Sequence, residues 1–233
     1  MKTLGIIGGI GPGSTVDYYQ TIIELYRARI GDGSYPPILI NSIDVQRVLA
    51  TVGAGELQSL TGWLLTELQK LESGGADFAI MASNTPHLVF DDLERQSPLP
   101  LISIVAETAR VAKTVGLKRL GLFGTRFTMQ APVYRNVFSA QEMVVVPPEP
   151  ADIDYIHEKY MSELVAGVFL PETRAGLLAV VDRMAEQSGI DGVILGGTEL
   201  PLILREPAHN EIPLLNTTRI HCEASVNRMF SQE

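Results

Sequence analysis

The stretch Leu4-Gly5-Ile6-Ile7-Gly8-Gly9-Ile10-Gly11-Pro12-Gly13-Ser14-Thr15 decides the fold class. A short apolar run is stopped by Gly8-Gly9 and a glycine-rich loop follows. Ser14-Thr15 then offers a cap, and from Val16 to Ile30 the residues Tyr18, Ile22, Leu25 and Arg29 recur at helical spacing. That order is strand, loop, helix, and the chain continues it. Pro37 to Ser42 reads as a strand and Glu56 to Ser73 as a helix. Asp77 to Ala82 reads as a buried strand ending at Ser83-Asn84-Thr85-Pro86-His87, and Leu101 to Val105 as a fourth strand. Such alternation predicts an α/β fold with mainly parallel sheets flanked by helices. Ligands of these sheets bind beyond the carboxyl ends of the strands, which directs attention to the loops just named.

The second half of the chain echoes the first. Leu120 to Phe123 followed by Gly124-Thr125 matches Leu4 to Ile7 followed by Gly8-Gly9. Ser188-Gly189-Ile190-Asp191-Gly192-Val193-Ile194 matches Gly74 to Ile80, and Pro213-Leu214-Leu215 matches Pro100-Leu101-Ile102. A repeat at an offset of about 115 residues describes one duplicated unit and predicts two similar lobes. If a pseudo-twofold axis relates them, Ser83-Asn84-Thr85 and Gly197-Thr198-Glu199 lie on opposite walls of an active-site cleft, a geometry that suits chemistry on both faces of one carbon atom.

Composition narrows the function. Of 233 residues, 45% are apolar and 19% charged, enough to bury a sizeable core. Eighteen Lys plus Arg against 27 Asp plus Glu leave a net charge of −9, which repels nucleic acid and anionic membrane surfaces. Cys222 is the single cysteine, so no intramolecular disulfide forms. The histidines at 87, 157, 209 and 221 are too scattered to argue a metal centre. No apolar run nears the roughly 20 residues that span a bilayer, and a cytoplasmic protein is expected. The loop from Gly9 imitates a dinucleotide fingerprint, but Ser14 occupies the third glycine position and Pro12 removes an amide. Pro147-Pro148-Glu149-Pro150 reads as a stiff connector.

Several segments together resemble the cofactor-independent aspartate/glutamate racemases: Lys2 to Pro12, Asn41-Ser42-Ile43-Asp44, Ser83 to His87, Gly121 to Met129, Gly196-Gly197-Thr198-Glu199 and Thr217-Thr218-Arg219-Ile220-His221. The resemblance implies a two-lobed α/β fold with the site between the lobes, no pyridoxal phosphate, and two thiols that remove and return the α-proton from opposite faces. It also implies that the C-terminal segment completes the first lobe, giving domains of 1–99 plus 211–233 and of 100–210, and it makes a homodimer the expected assembly. This chain departs from the family pattern at both thiols: Ser83 stands before Asn-Thr and Gly197 before Thr-Glu. A serine hydroxyl is far less acidic than a thiol and needs a neighbouring base, and glycine has no side chain, so the two-thiol exchange is excluded. Cys222 falls in a helical stretch and reads as a small packed hydrophobe.

The remaining candidates for proton chemistry are Ser83 and Glu199, beside the empty Gly197 position. A desolvated carboxylate in a closed site is a usable acid or base. The competing readings are a carboxylate that complements a helix start or fixes the Thr198 loop, and a strand-end hydroxyl that completes a turn. Asn84, Thr85, Thr125, Thr198 and the Gly9 amide are the donors expected to hold a substrate carboxylate or ammonium group. Arg47 matches an arginine that binds the side-chain carboxylate in some family members, and otherwise is a surface residue. His87 reads as a structural residue at a helix start. The expected function is an amino-acid racemase-like protein acting on a small, acidic amino acid without cofactor or metal. The alternative is a catalytically silent homologue that binds an amino or keto acid as a sensor or regulator.

Overall fold

A computed structural model describes residues 1–231 of the chain, which divides into two compact α/β units. In the first, β1 (Leu4–Gly8), α1 (Pro12–Ile30), β2 (Ile38–Ser42), α2 (Val45–Gly53), α3 (Leu57–Ser73) and β3 (Phe78–Met81) follow in order. A 3-10 turn (Thr85–Val89) and α4 (Phe90–Gln96) come next. The sheet order is β2-β1-β3, all parallel, with Leu4 level with Ile38 on one side and Phe78 on the other. Leu4, Ile6 and Phe78 pack under Tyr18, Ile22 and Tyr26 of α1 to form the core. β1 is sandwiched between strands and buried throughout, which is why it reads as an unbroken apolar run.

Local chemistry sets where α1 starts. It begins at Pro12, whose missing N–H costs nothing in a first turn, and not at the expected Ser14-Thr15 cap. The two hydroxyls fasten the loop instead: Ser14 Oγ donates to the Gly11 carbonyl (2.9 Å), and Thr15 Oγ1 accepts the Gly9 N–H (2.8 Å). Gly9 lies at φ +84°, and a Cβ there would come within 2.7 Å of the Ile43 amide nitrogen, so only glycine makes this turn.

The second unit runs through α5 (Ile104–Thr114), β4 (Arg119–Gly124), α6 (Arg126–Gln130), α7 (Pro132–Ser139), β5 (Val144–Val146) and α8 (Pro150–Lys159). A π-helical turn (Tyr160–Leu164) leads to α9 (Pro171–Ser188), β6 (Gly192–Gly196), α10 (Leu200–Ile203), β7 (Ala208–His209) and β8 (Ile212–Asn216). The sheet order is β5-β4-β6-β8-β7, parallel except for β7. The internal echo is visible in matching bonds: Asp77 accepts the Thr3 N–H as Asp191 accepts the N–H groups of Lys118 and Arg119. Glu149 and Pro150 of the expected connector start α8, with proline again in the first turn.

Two expectations need correction. Leu101 to Val105 is not a strand. Leu101 makes a single bridge to Ala79, and from Ile104 the buried residues Ile104, Val105, Thr108, Ala109 and Ala112 follow the period of α5. Four apolar residues around Ser103 carry too little periodicity to separate the two forms. The units also exchange at Ser103/Ile104 and Ile220/His221, not at 99/100 and 210/211. Leu101 belongs to the first sheet, and Ile212–Asn216 pairs with β6, so it belongs to the second. α11 (Thr217–Met229) starts in the second unit, and its later turns supply Cys222, Val226 and Met229 to the first core. Residues 232 and 233 of the expected first domain lie outside the described residues. No helix among the described residues is long and apolar enough to cross a membrane.

Candidate functional site

Each unit carries one of the two loops singled out by sequence. In the first, Ser83 follows β3, and its N–H reaches back to the Met81 carbonyl (2.8 Å). Ser83, Asn84 and Thr85 are all buried, and Pro86 directs the chain into the 3-10 turn. The glycine loop lies against this strand end, since Ser14 Oγ is 3.4 Å from the Ala82 carbonyl. The Gly9 amide, expected to bind substrate, is instead spent on Thr15. Gly9 therefore shapes the loop rather than donating from it.

His87 is a structural group here. Its Nδ1–H donates to the Ser83 carbonyl (3.0 Å), its ring stacks on Phe90, and the His221 ring lies edge-on at 6.2 Å. His221 Nε2–H donates to the Ile102 carbonyl (2.9 Å), while Nδ1 accepts the Tyr18 hydroxyl (2.9 Å), which fixes its tautomer. Burial lowers both rings, His87 to about 3 with His221 adding to the effect, and His221 to about 4. Both are neutral near pH 7 and hold the Ser83 turn and α11 in place.

Arg47, on α2, is exposed, but its guanidinium lies 4.0 Å above the centre of the Trp63 ring. Trp63 Nε1–H donates to Glu67 (2.9 Å), which also accepts from Asn41 Nδ2 (2.7 Å) and Lys70 Nζ (2.7 Å). Burial pushes the Glu67 carboxyl up, but these donors, Lys70 foremost, outweigh it and hold it below its ordinary value. The arginine thus stands on a braced platform that the sequence reading missed. Its signal was Trp63 and Glu67 at i, i+4 spacing on a predicted helix.

In the second unit, Thr125 caps α6: its Oγ1 accepts the Thr128 N–H (3.2 Å) and lies 3.0 Å from Thr128 Oγ1. As an N-cap the oxygen accepts, and its own O–H keeps the capacity to donate. Gly197, Thr198 and Glu199 leave β6 together, with Thr198 and Glu199 both under 5% exposed. Glu199 precedes the four-residue α10, yet its carboxylate makes no capping bond to that helix. It turns instead to hydroxyls: Thr198 Oγ1 donates to Oε2 (3.1 Å), and Tyr160 Oη donates to the same oxygen. Tyr160 opens the π-helical turn after α8 and is itself buried. Its ring packs on Gly197 so closely that a Cβ there would lie 2.9 Å from Cζ and Oη.

Tyr160 is the main residue that sequence reasoning missed, and no motif announces it. Burial, followed by the nearby Glu199 carboxylate, raises its phenol well above the ordinary value, so the hydroxyl stays protonated and acts as a donor. Nearby, Thr217 Oγ1 donates to the Leu195 carbonyl (2.7 Å). Thr218 Oγ1 is the one buried side-chain oxygen among the described residues without a hydrogen-bond partner. Cys222 is buried in the first unit's core, with Sγ 3.9 Å from the Tyr18 carbonyl, and lies at no strand end. Among the described residues no group of three or more His, Cys, Asp or Glu could hold a metal ion.

Comparison with known proteins gives a consistent set of relatives. The family described as Asp/Glu/Hydantoin racemase matches residues 7–225. The broad specificity amino-acid racemase RacX of Bacillus subtilis (strain 168) is 23% identical over 236 residues, covering 99% of each chain. The crystal structure of an aspartate racemase homologue from Pyrococcus horikoshii OT3 superposes with a TM-score of 0.84 at 30% identity, over 99% of this chain and 100% of that one. Aspartate racemase from Picrophilus torridus shares the fold at a TM-score of 0.78 and 23% identity, over 98% of this chain and 94% of that one.

Proposed function

Because the chain belongs to the Asp/Glu/hydantoin racemase family, we propose that it binds a small amino acid, in the first place an acidic one, and moves its α-proton without pyridoxal phosphate. In this reading Ser83 and Gly197 stand where family members carry their two thiols, and Glu199 takes over proton transfer. The observation that carries the assignment is the Glu199 carboxylate: buried at the end of β6, not engaged in capping α10, and held by two hydroxyl donors.

The chemistry follows from those parts. The Glu199 carboxylate accepts the α-proton. The C–H bond breaks, its electron pair passes into the substrate carboxylate to give an enediolate, and the proton rests on Glu199 until it returns to the carbon. Within the first unit, taken by itself, Asn84 and Thr85 are the donors proposed for a ligand carboxylate, and Arg47, steadied on Trp63, is the group proposed to pair with a side-chain carboxylate. Ser83 serves as a hydroxyl donor, or passes a proton through water, because unaided it is too weak an acid to replace a thiol. A homodimer in the cytoplasm belongs to the same proposal, and the molar mass in solution tests the dimer.

A second reading is a silent homologue that binds an amino or keto acid. It is favoured by the Tyr160 ring occupying the space a side chain at 197 would need. One experiment separates the two: α-proton exchange in D2O, followed by NMR on both enantiomers of acidic and neutral amino acids, alongside ligand-induced thermal stabilisation. Exchange that disappears in Glu199→Gln while stabilisation persists supports the enzyme. Stabilisation without exchange in the native chain supports the binding protein.

A further inference from the structure

The loop after β6 meets an aromatic residue from a distant part of the chain. Tyr160 stands where the backbone leaves the α-helical repeat of α8 for a π-helical turn, and α10 packs against that turn. Such turns recur at functional sites, because one extra residue per turn re-aims a side chain. The redirected ring lies flush on Gly197, and its hydroxyl meets Glu199 Oε2, the oxygen that Thr198 Oγ1 also engages.

We propose that Tyr160 is a positioning residue for Glu199: its ring fills the place of a side chain at 197, and its hydroxyl fixes the carboxylate and sets the pH at which it takes up a proton. The inference rests on the reading of Glu199 as the proton-transfer group. Two features of the geometry support it. Ring and side chain are mutually exclusive at this point, so a glycine at 197 and a tyrosine at 160 form one coordinated arrangement rather than a simple loss. Both donors converge on a single oxygen in a buried setting, where a hydrogen bond to a charged group is stronger than in water. Because the phenol keeps its proton, its O–H donates to Glu199 Oε2, and that donation favours the ionised carboxylate over the neutral acid.

The test uses the full chain labelled with glutamate carrying 13C at the side-chain carboxyl, with the Glu199 signal assigned by its loss in Glu199→Gln. Tyr160→Phe keeps the ring on Gly197 and removes only the hydroxyl. The Glu199 titration midpoint then rises by about one pH unit or more. Gly197→Ala, whose methyl pushes the ring aside, is the second variant and moves the midpoint in the same direction. An unchanged midpoint in both variants overturns the proposal. α-Proton exchange measured over the same pH range shows its rising limb displaced with the midpoint. If the native chain exchanges no amino acid but the midpoint still rises, the role of Tyr160 stands and the proton-transfer reading falls.

Discussion

Replacing Gly197 by cysteine is the perturbation that tests this site most directly. Gly197 does not occupy the left-handed region of backbone space, so the cost of a side chain there is spatial rather than torsional. A Cβ would lie 2.9 Å from Tyr160 Cζ and Oη, where ordinary contacts begin near 3.4 Å. Cε2 of the ring would lie closer still, so the ring moves by about 1 Å within close-packed surroundings, an overpacking cost of about 1–3 kcal/mol. That movement also breaks the Tyr160–Glu199 bond, and a hydrogen bond to a charged group is worth about 1.5–3 kcal/mol. Together Gly197→Cys destabilises the protein by about 3–5 kcal/mol. Tyr160→Ala alone leaves a cavity and costs about the same. In the double variant the cysteine refills part of the cavity, so the combined loss falls short of the sum by about 1–3 kcal/mol. Urea unfolding followed by circular dichroism measures all four corners of the cycle. A Gly197→Cys protein within about 0.5 kcal/mol of the native chain, or an additive cycle, refutes the packing argument. The same reasoning predicts that a cysteine placed at 197 is accommodated without this loss only when Tyr160 is also made small.

Three further outcomes follow from the geometry. The unfolded chain protonates its histidines near pH 6.5, whereas folded His87 and His221 wait until about 3 and about 4. Stability is therefore complete above pH 6.5 and declines as the pH falls toward 4, by about 3 kcal/mol from His221 alone; a urea midpoint that is flat from pH 7 to 4.5 contradicts this. Arg47→Ala weakens binding of acidic amino acids about tenfold or more relative to neutral ones, and Trp63→Ala does so to a smaller extent. Calorimetric titration checks this, and equal weakening for both substrate classes removes Arg47 from the side-chain subsite. Cys222, buried in the core, reacts with a chromogenic disulfide reagent only when the protein unfolds; fast labelling of the native chain would instead reveal an accessible thiol.

The loops that matter were legible early, because parallel strands buried on both faces read as short apolar runs with polar or glycine-rich ends. The candidates Ser83 and Glu199 were picked out in this way, and both follow the ends of β3 and β6. The individual donors were harder to judge. Gly9 and Thr125 have the right chemistry at strand ends, but whether an amide or hydroxyl faces a ligand or a neighbouring turn depends on where its hydrogen bond goes. Leu101 to Val105 misled for a different reason: a five-residue stretch fits both periods, and the start of α5 at Ile104 resolves it.

Glycine at 197, a carboxylate at 199 and the doubled strand-loop-helix order are properties of the chain itself, fixed by residue type and spacing. What fills the space at Gly197 and what holds Glu199 are set by Tyr160, 39 residues away in sequence. Helical and strand periods relate residues only a few positions apart. A contact over that distance exists only once α8, its π-helical turn and β6 have packed together, so the tertiary structure alone decided it.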